Sequence, residues 1–212
     1  MGTLALGKYG IDLHKLLGLH FFLAPSFRIW QLVTYMFLHD YGFQHLFFNM
    51  FAVWMFGRVM EIQWGSKKFL IFYLLCGIGA GLMQELCQFV HYGLVYSHYE
   101  VVAIGNGMTI PMMQYLDRIL TVGASGAVYG ILLGYGMTFP NNQLFIIPIP
   151  FPIKAKWLVI GYVVLELGLG IRGSAADNVA HFAHLGGMLA GFLIMLYWKH
   201  KERKDNHINF TW

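Results

Sequence analysis

Five apolar stretches, at about residues 43–62, 68–91, 119–139, 154–171 and 179–198, dominate this chain. Each is close to the ~20 residues an α-helix needs to cross the hydrocarbon core of a bilayer. A segment in lipid must satisfy its backbone polar groups internally, which an isolated helix does and an isolated strand does not. The expected fold is therefore all-α: a polytopic bundle of transmembrane helices with five visible spans. Composition agrees, since 58% of the 212 residues are hydrophobic, 11% are charged and mean hydropathy is +0.57, whereas an ordinary soluble domain is about 25% charged.

These runs leave no room for a separate soluble module, so one membrane domain over residues 1–198 is expected, followed by a basic tail at 199–212. The segment 16–39 is also apolar, but Pro25, Arg28 and Gln31 divide it into pieces of roughly 10 to 12 residues, a length that suits an interfacial or re-entrant element. Residues 1–42 accordingly form no expected span, and most of 16–39 reads as an interfacial loop. No apolar h-region of normal length precedes the charges of MGTLALGKYGIDLHK, so no cleavable signal peptide is expected. Cys76 and Cys87 share one apolar run; a disulfide between them would require that helix to break, and both read as buried thiols.

The formal charge of +4 does not point to nucleic acid, because the basic residues sit mainly in short loops and in the tail Lys199 to Lys204. If the spans alternate, nine basic residues (Arg58, Lys67, Lys68, Lys154, Lys156, Lys199, Lys201, Arg203 and Lys204) share one side, and five (Lys8, Lys15, Arg28, Arg118 and Arg172) share the other. The positive-inside tendency puts the C-terminus in the cytoplasm and the 92–118 loop outside.

Polar side chains within a span are costly and mark function or a buried partner. The set here is His45, Asn49, Gln84, Glu85, Gln88, Ser125, Glu166, His181 and His184. Gly123 and Gly126 flank Ser125 and leave the backbone around its hydroxyl open to a substrate carbonyl. Serines are also common at plain helix contacts, and Gly126, Gly130 and Gly134, like Gly187 and Gly191, repeat at the four-residue spacing of close helix packing. His184 faces a helix surface stripped of bulk by glycines that include Gly187, and His181, one turn earlier, rivals it as a base or as half of a metal pair. No further His, Cys or carboxylate at ligand spacing supports a metal, so none is expected.

Depth strengthens the combination. Ser125 lies about six residues below the outer end of its expected span and His184 about five below its own, or roughly 8 to 9 Å at the helical rise. The two helices run in the same direction, so a serine oxygen and an imidazole nitrogen could meet. Tyr129 is one turn from Ser125 on the same face, where its ring could pack on the imidazole. His45 and Asn49, also i and i+4, are donors at the same level, suited to a developing oxyanion, although a polar knot between helices would look the same.

The motifs H-L-F-F-N (45–49), E-I-Q-W-G-S-K-K-F (61–69), G-A-S-G-A-V-Y-G (123–130) and A-H-L-G-G-M-L-A-G (183–191) together resemble the rhomboid family of intramembrane serine proteases, in the family's order, from about residue 28 to 198. The resemblance implies Ser125 as nucleophile, His184 as general base and then acid, Tyr129 stacked on that histidine, and His45 with Asn49 as oxyanion donors. Gly123, Gly126 and Gly187 would support them. It selects His184 over His181, and it implies a dyad with no carboxylate and no cofactor, consistent with the absence of an acid obviously placed behind His184. Glu85 and Glu166 read as interhelical hydrogen-bond partners. The stretch Phe27 to His39 resembles the family's loop in the outer leaflet.

The family's core has six spans, and only MGTLALGKYG stands where the first would precede this loop. A missing or truncated first span is the expectation, with Met1 as an internal methionine of a longer frame, which makes residues 1–42 mostly an N-terminal remnant and that interfacial loop. The implied partners are transmembrane protein substrates and the lipid bilayer, with no nucleic acid; the implied location is a bacterial cytoplasmic membrane. A rhomboid-like protein that escorts clients without cutting them is the alternative, disfavoured because both dyad members and both donors are present. A transporter using Glu85 and Glu166 is disfavoured by the lack of an internal repeat with paired broken helices.

Overall fold

The longest apolar runs fold as long helices, and the short polar-broken ones fold around them. The computed structural model describes residues 12–39, 43–105, 107–145, 151–172 and 175–208. The chain begins with α1 (Leu13–Leu17), strand β1 (Leu19–His20) and α2 (Gln31–Thr34), which tightens into a 3₁₀ turn at Tyr35–Phe37. Helix α3 (Phe43–Ala52) passes through a π-type turn at Val53–Gly57 into α4 (Arg58–Trp64). Gly65, at φ 81°, makes the corner into α5 (Ser66–His91), a left-handed conformation that favours glycine. A second π-type turn at Tyr92–Tyr96 leads to the hairpin β2 (Val101–Gly105) and β3 (Met108–Pro111), then to α6 (Met112–Arg118) and β4 (Leu120–Thr121). Helix α7 (Ser125–Thr138), the short pair β5 (Gln143–Leu144) and β6 (Ile153–Lys154), α8 (Ala155–Arg172) and α9 (Ala175–Ile208) complete the order.

Helix α9 packs against α5, α7 and α8, and α5 packs against α7, so three long elements surround the glycine-rich α7. A Cβ at Gly130 would lie 2.5 Å from Cys76 Cβ of α5 and 3.0 Å from the Gly187 carbonyl of α9. One at Gly187 would run into the Gly126 carbonyl, and one at Gly126 into Ala80. These positions therefore carry no side chain because the backbone of a neighbouring helix, or a small side chain on it, occupies the space. Below this seam lies an apolar cluster that includes Phe56, Met60, Ile131, Tyr135, Val159 and Met188.

Among the described residues, two helices are long and apolar enough by length and composition to cross a membrane, Ser66–Tyr96 and Ala180–Lys204. The run expected as a helix over 119–139 is interrupted. Its first residues are extended, with β4 paired antiparallel to β1 (Leu19 opposite Thr121, His20 opposite Leu120), and the helix proper starts at Ser125. Gly123, at φ 128°, donates its N–H to the Tyr35 carbonyl at 3.0 Å, and Gln84 Nε2 donates to Thr121 Oγ1 at 2.8 Å. The β-branched Ile119, Thr121 and Val122 suit that extended path. Helix α7 has 14 residues, about 21 Å at the helical rise. Helix α8 carries Lys156, Glu166 and Arg172 in its 18 residues.

The segment 12–39 forms no span; it is a set of short elements fastened by its polar residues. The Gln31 side chain, fully buried, accepts from the N–H groups of His20 and Arg28 (3.4 and 3.0 Å) and donates to the carbonyls of Leu16 and Ser26 (3.4 and 3.1 Å). The Tyr35 hydroxyl donates to the Gly77 carbonyl on α5 at 2.7 Å. Asp117 of α6 accepts from both the N–H and the hydroxyl of Ser26, at 2.8 and 3.0 Å. Glu85, expected to bridge helices, instead accepts the Phe22 backbone N–H at 2.8 Å and so holds this segment against α5. At the opposite end, α9 runs without a break through the basic residues after Lys199, where Glu202 meets Lys68 of α5 at 3.3 Å.

Candidate active site

Ser125 is the first residue of α7, not a mid-helix residue, because the extended segment 119–124 delivers the chain to that point. The N–H groups of a helix's first turn have no intrahelical acceptor, so a half-buried hydroxyl here sits beside donors that the helix itself does not use. His184 lies well inside α9, ten positions along it, and reaches Ser125 because Gly126 and Gly187 let the two backbones touch. Its Nε2 is 2.9 Å from Ser125 Oγ. The ring of Tyr129, one turn along α7, stacks on the imidazole with centroids 4.2 Å apart and planes 16° apart. Tyr162 of α8 packs edge-on against Tyr129 at 5.8 Å.

Behind the imidazole stands Glu166, which the sequence marks as an interhelical hydrogen-bond partner, as it proves to be, but does not assign to His184. Glu166 of α8, only 3% exposed, places Oε2 3.1 Å from His184 Nδ1 and 2.6 Å from His181 Nδ1. The Tyr129 hydroxyl interacts with the same carboxylate. The expectation that no acid stands behind His184 is therefore corrected. Glu166 is 18 positions from His184 and on another helix, so no local motif joins them; the available signal was the cost of an intramembrane carboxylate, which demands partners. The ground for setting a metal aside changes too, since ligand atoms of Glu166, His181 and His184 lie within 4.8 Å of one another.

The other sequence-derived candidates are placed unevenly. Asn49 is buried on α3, a helix that packs beside α7, but it does not line the cavity at Ser125. His45 belongs to α3, and its side chain lies outside the described residues. Gly123, Gly126 and Gly187 all sit at the approach of α7 to its neighbours.

A cavity of about 610 Å³ opens beside Ser125 and His184, between α5, α7 and α9 and beneath α6. Its wall combines apolar and aromatic surface with Gln84 and Gln88, whose side-chain oxygens have no partner among the described residues. Such a cleft suits an extended peptide, whose unpaired N–H groups need acceptors.

The family model of the Rhomboid domain matches residues 26–201. Among curated proteins, the chain is 30% identical over 165 residues to Rhomboid protease GluP of Bacillus subtilis (strain 168), covering 77% of this chain and 25% of that one. It is 29% identical over 186 residues to Rhomboid protease AarA of Providencia stuartii, covering 84% and 59%. It is also 29% identical over 165 residues to RHOMBOID-like protein 6, mitochondrial, of Arabidopsis thaliana, covering 78% and 42%. The chain thus spans between a quarter and three fifths of these relatives' lengths. With the domain matched from the N-terminal segment to the tail, and the matched region containing both Ser125 and His184, the chain belongs to the rhomboid family, whose members are integral membrane proteins.

Proposed function

We propose that this chain is an intramembrane serine endopeptidase that hydrolyses peptide bonds in or beside transmembrane segments of other membrane proteins. The observation that carries the reading is the 2.9 Å contact between Ser125 Oγ and His184 Nε2 at the edge of a cavity large enough for an extended peptide. Two of the similar proteins named above are called rhomboid proteases, in keeping with it.

In this mechanism Ser125 Oγ attacks the scissile carbonyl carbon while its proton passes to His184 Nε2. The resulting oxyanion is met by the Ser125 backbone N–H at the start of α7 and by side-chain donors, for which His45 and Asn49 are the candidates. Collapse breaks the C–N bond as His184 returns the proton to the leaving amine. Water then repeats the sequence on the acyl-enzyme with His184 again as base, and Ser125 is regenerated. Tyr129 holds the imidazole plane throughout. Because an intact helix hides its carbonyls, a substrate must unwind locally at the cut, which favours small or helix-breaking residues there.

The topology that goes with this function has five spans in one domain over residues 1–198, the 92–118 loop outside and the basic tail from residue 199 in the cytoplasm of a bacterial cell. The pairing of Lys68 with Glu202 supports it by placing two of the basic clusters at one end of the molecule. With protein reconstituted in liposomes beside a single-span reporter, Ser125→Ala is expected to abolish cleavage. Labelling by a fluorophosphonate is expected in the unaltered protein and absent in His184→Ala. Undiminished cleavage by Ser125→Ala would end the reading.

A further inference from the structure

The geometry points to Glu166 as a positioning residue for His184, a role that rests on the hydrolase reading above. Its Oε2 receives Nδ1 of His184 at 3.1 Å, while the opposite nitrogen of the same ring lies 2.9 Å from Ser125 Oγ. The three side chains form one line from carboxylate to hydroxyl, carried by three different helices. A carboxylate bound to Nδ1–H fixes the ring in the tautomer whose Nε2 is free to take the serine proton, and it compensates the imidazolium that forms.

A purely architectural carboxylate is the competing explanation. His181 alone, 2.6 Å from Oε2, would tie α8 to α9 and satisfy that oxygen. Nothing in such a tie requires the same oxygen also to face the ring that touches Ser125. The groups facing the carboxylate are His181 and His184 of α9, Tyr129 of α7 and, behind Tyr129, Tyr162 on its own helix. Among them only His184 contacts the hydroxyl of Ser125. Tyr129 stacks on the face of that ring and Glu166 grips its edge, so together they remove the ring's freedom to rotate or to exchange its proton between nitrogens.

The test compares Glu166→Gln, Glu166→Asp and Ser125→Ala in liposomes with one single-span reporter. A glutamine amide can donate to Nδ1 and so favour the tautomer that cannot accept the serine proton. Glu166→Gln is therefore expected to lower kcat by roughly 10- to 1,000-fold with KM within about threefold, and Glu166→Asp to recover part of the loss. Histidine-selective ¹⁵N spectra of the unaltered protein should show His184, identified by its loss in His184→Asn, as the Nδ1–H form. A kcat for Glu166→Gln within about twofold of the unaltered protein, or an Nε2–H form of His184, would overturn the proposal. If Ser125→Ala is inert while Glu166→Gln is unslowed, only the positioning role falls. If Ser125→Ala cleaves normally, the hydrolase reading falls as well.

Discussion

The Tyr129 ring covers one face of the His184 imidazole at 4.2 Å, and Tyr162 braces it from the side. An aromatic pair of this kind contributes about 0.5–1.5 kcal/mol beyond the area it buries. Replacing Tyr129 with Leu should therefore slow single-turnover cleavage by roughly 2- to 12-fold, with substrate binding little changed, whereas Tyr129→Phe should retain most of that rate. The meeting of the serine with the histidine was legible in the sequence because each sits among glycines at the spacing of close helix packing. Glu166 was legible as an interhelical partner but its pairing with His184 was not, because its two hydrogen-bonded partners are 15 and 18 positions away on another helix. Separation of that size carries no periodicity, and only the folded bundle brings the three together. The tie between Phe22 and Glu85, 63 positions apart, was hidden for the same reason.

At the scale of elements, helix packing and loop anchoring each set a measurable quantity. A methyl group at Gly187 meets the Gly126 carbonyl, which is backbone and cannot swing away. Gly187→Ala should cost about 1–3 kcal/mol as α7 and α9 separate, visible as a lower melting temperature in detergent, and it should slow cleavage with no reacting atom altered. Asp117, whose side chain is 20% exposed, fastens the N-terminal segment through Ser26. Partial burial pushes its carboxyl up, but the Ser26 hydroxyl and N–H, with His20 and Lys15 nearby, outweigh that and leave it below its ordinary value. The unfolded chain thus takes up this proton at a higher pH than the folded one. The contribution of Asp117 is present above about pH 3.9 and is lost as pH falls through the lowered value. Thermal melts at falling pH should show a decline in this range that Asp117→Asn flattens. The short strands β1 and β4 escaped the sequence because Ile119, Leu120 and Val122 are as apolar as the helix they precede, and apolar runs of that length do not distinguish strand from helix.

For the molecule as a whole, the apolar runs correctly announced a helical bundle, and its two longest helices pass the length and hydropathy required for a span. Counting runs overstates regular helix, since the run over 119–139 opens with six residues outside its helix and the run over 43–62 passes through a π-type turn. If the proposed orientation holds, a cysteine placed in the loop near Tyr99 should react with an impermeant maleimide in intact cells, and one placed near Lys201 only after lysis. The reverse pattern would invert the topology while leaving the site geometry untouched. The joint between Gly126 and Gly187 has a further consequence. Two backbones already touching cannot be squeezed nearer, so stretching or thinning the surrounding lipid would rock α7 and α9 as one body and leave the hydroxyl and imidazole in register. On the proposed hydrolase reading, sensitivity of turnover to lipid would then arise at the cavity wall contributed by α5, α6 and the N-terminal segment rather than at Ser125 and His184.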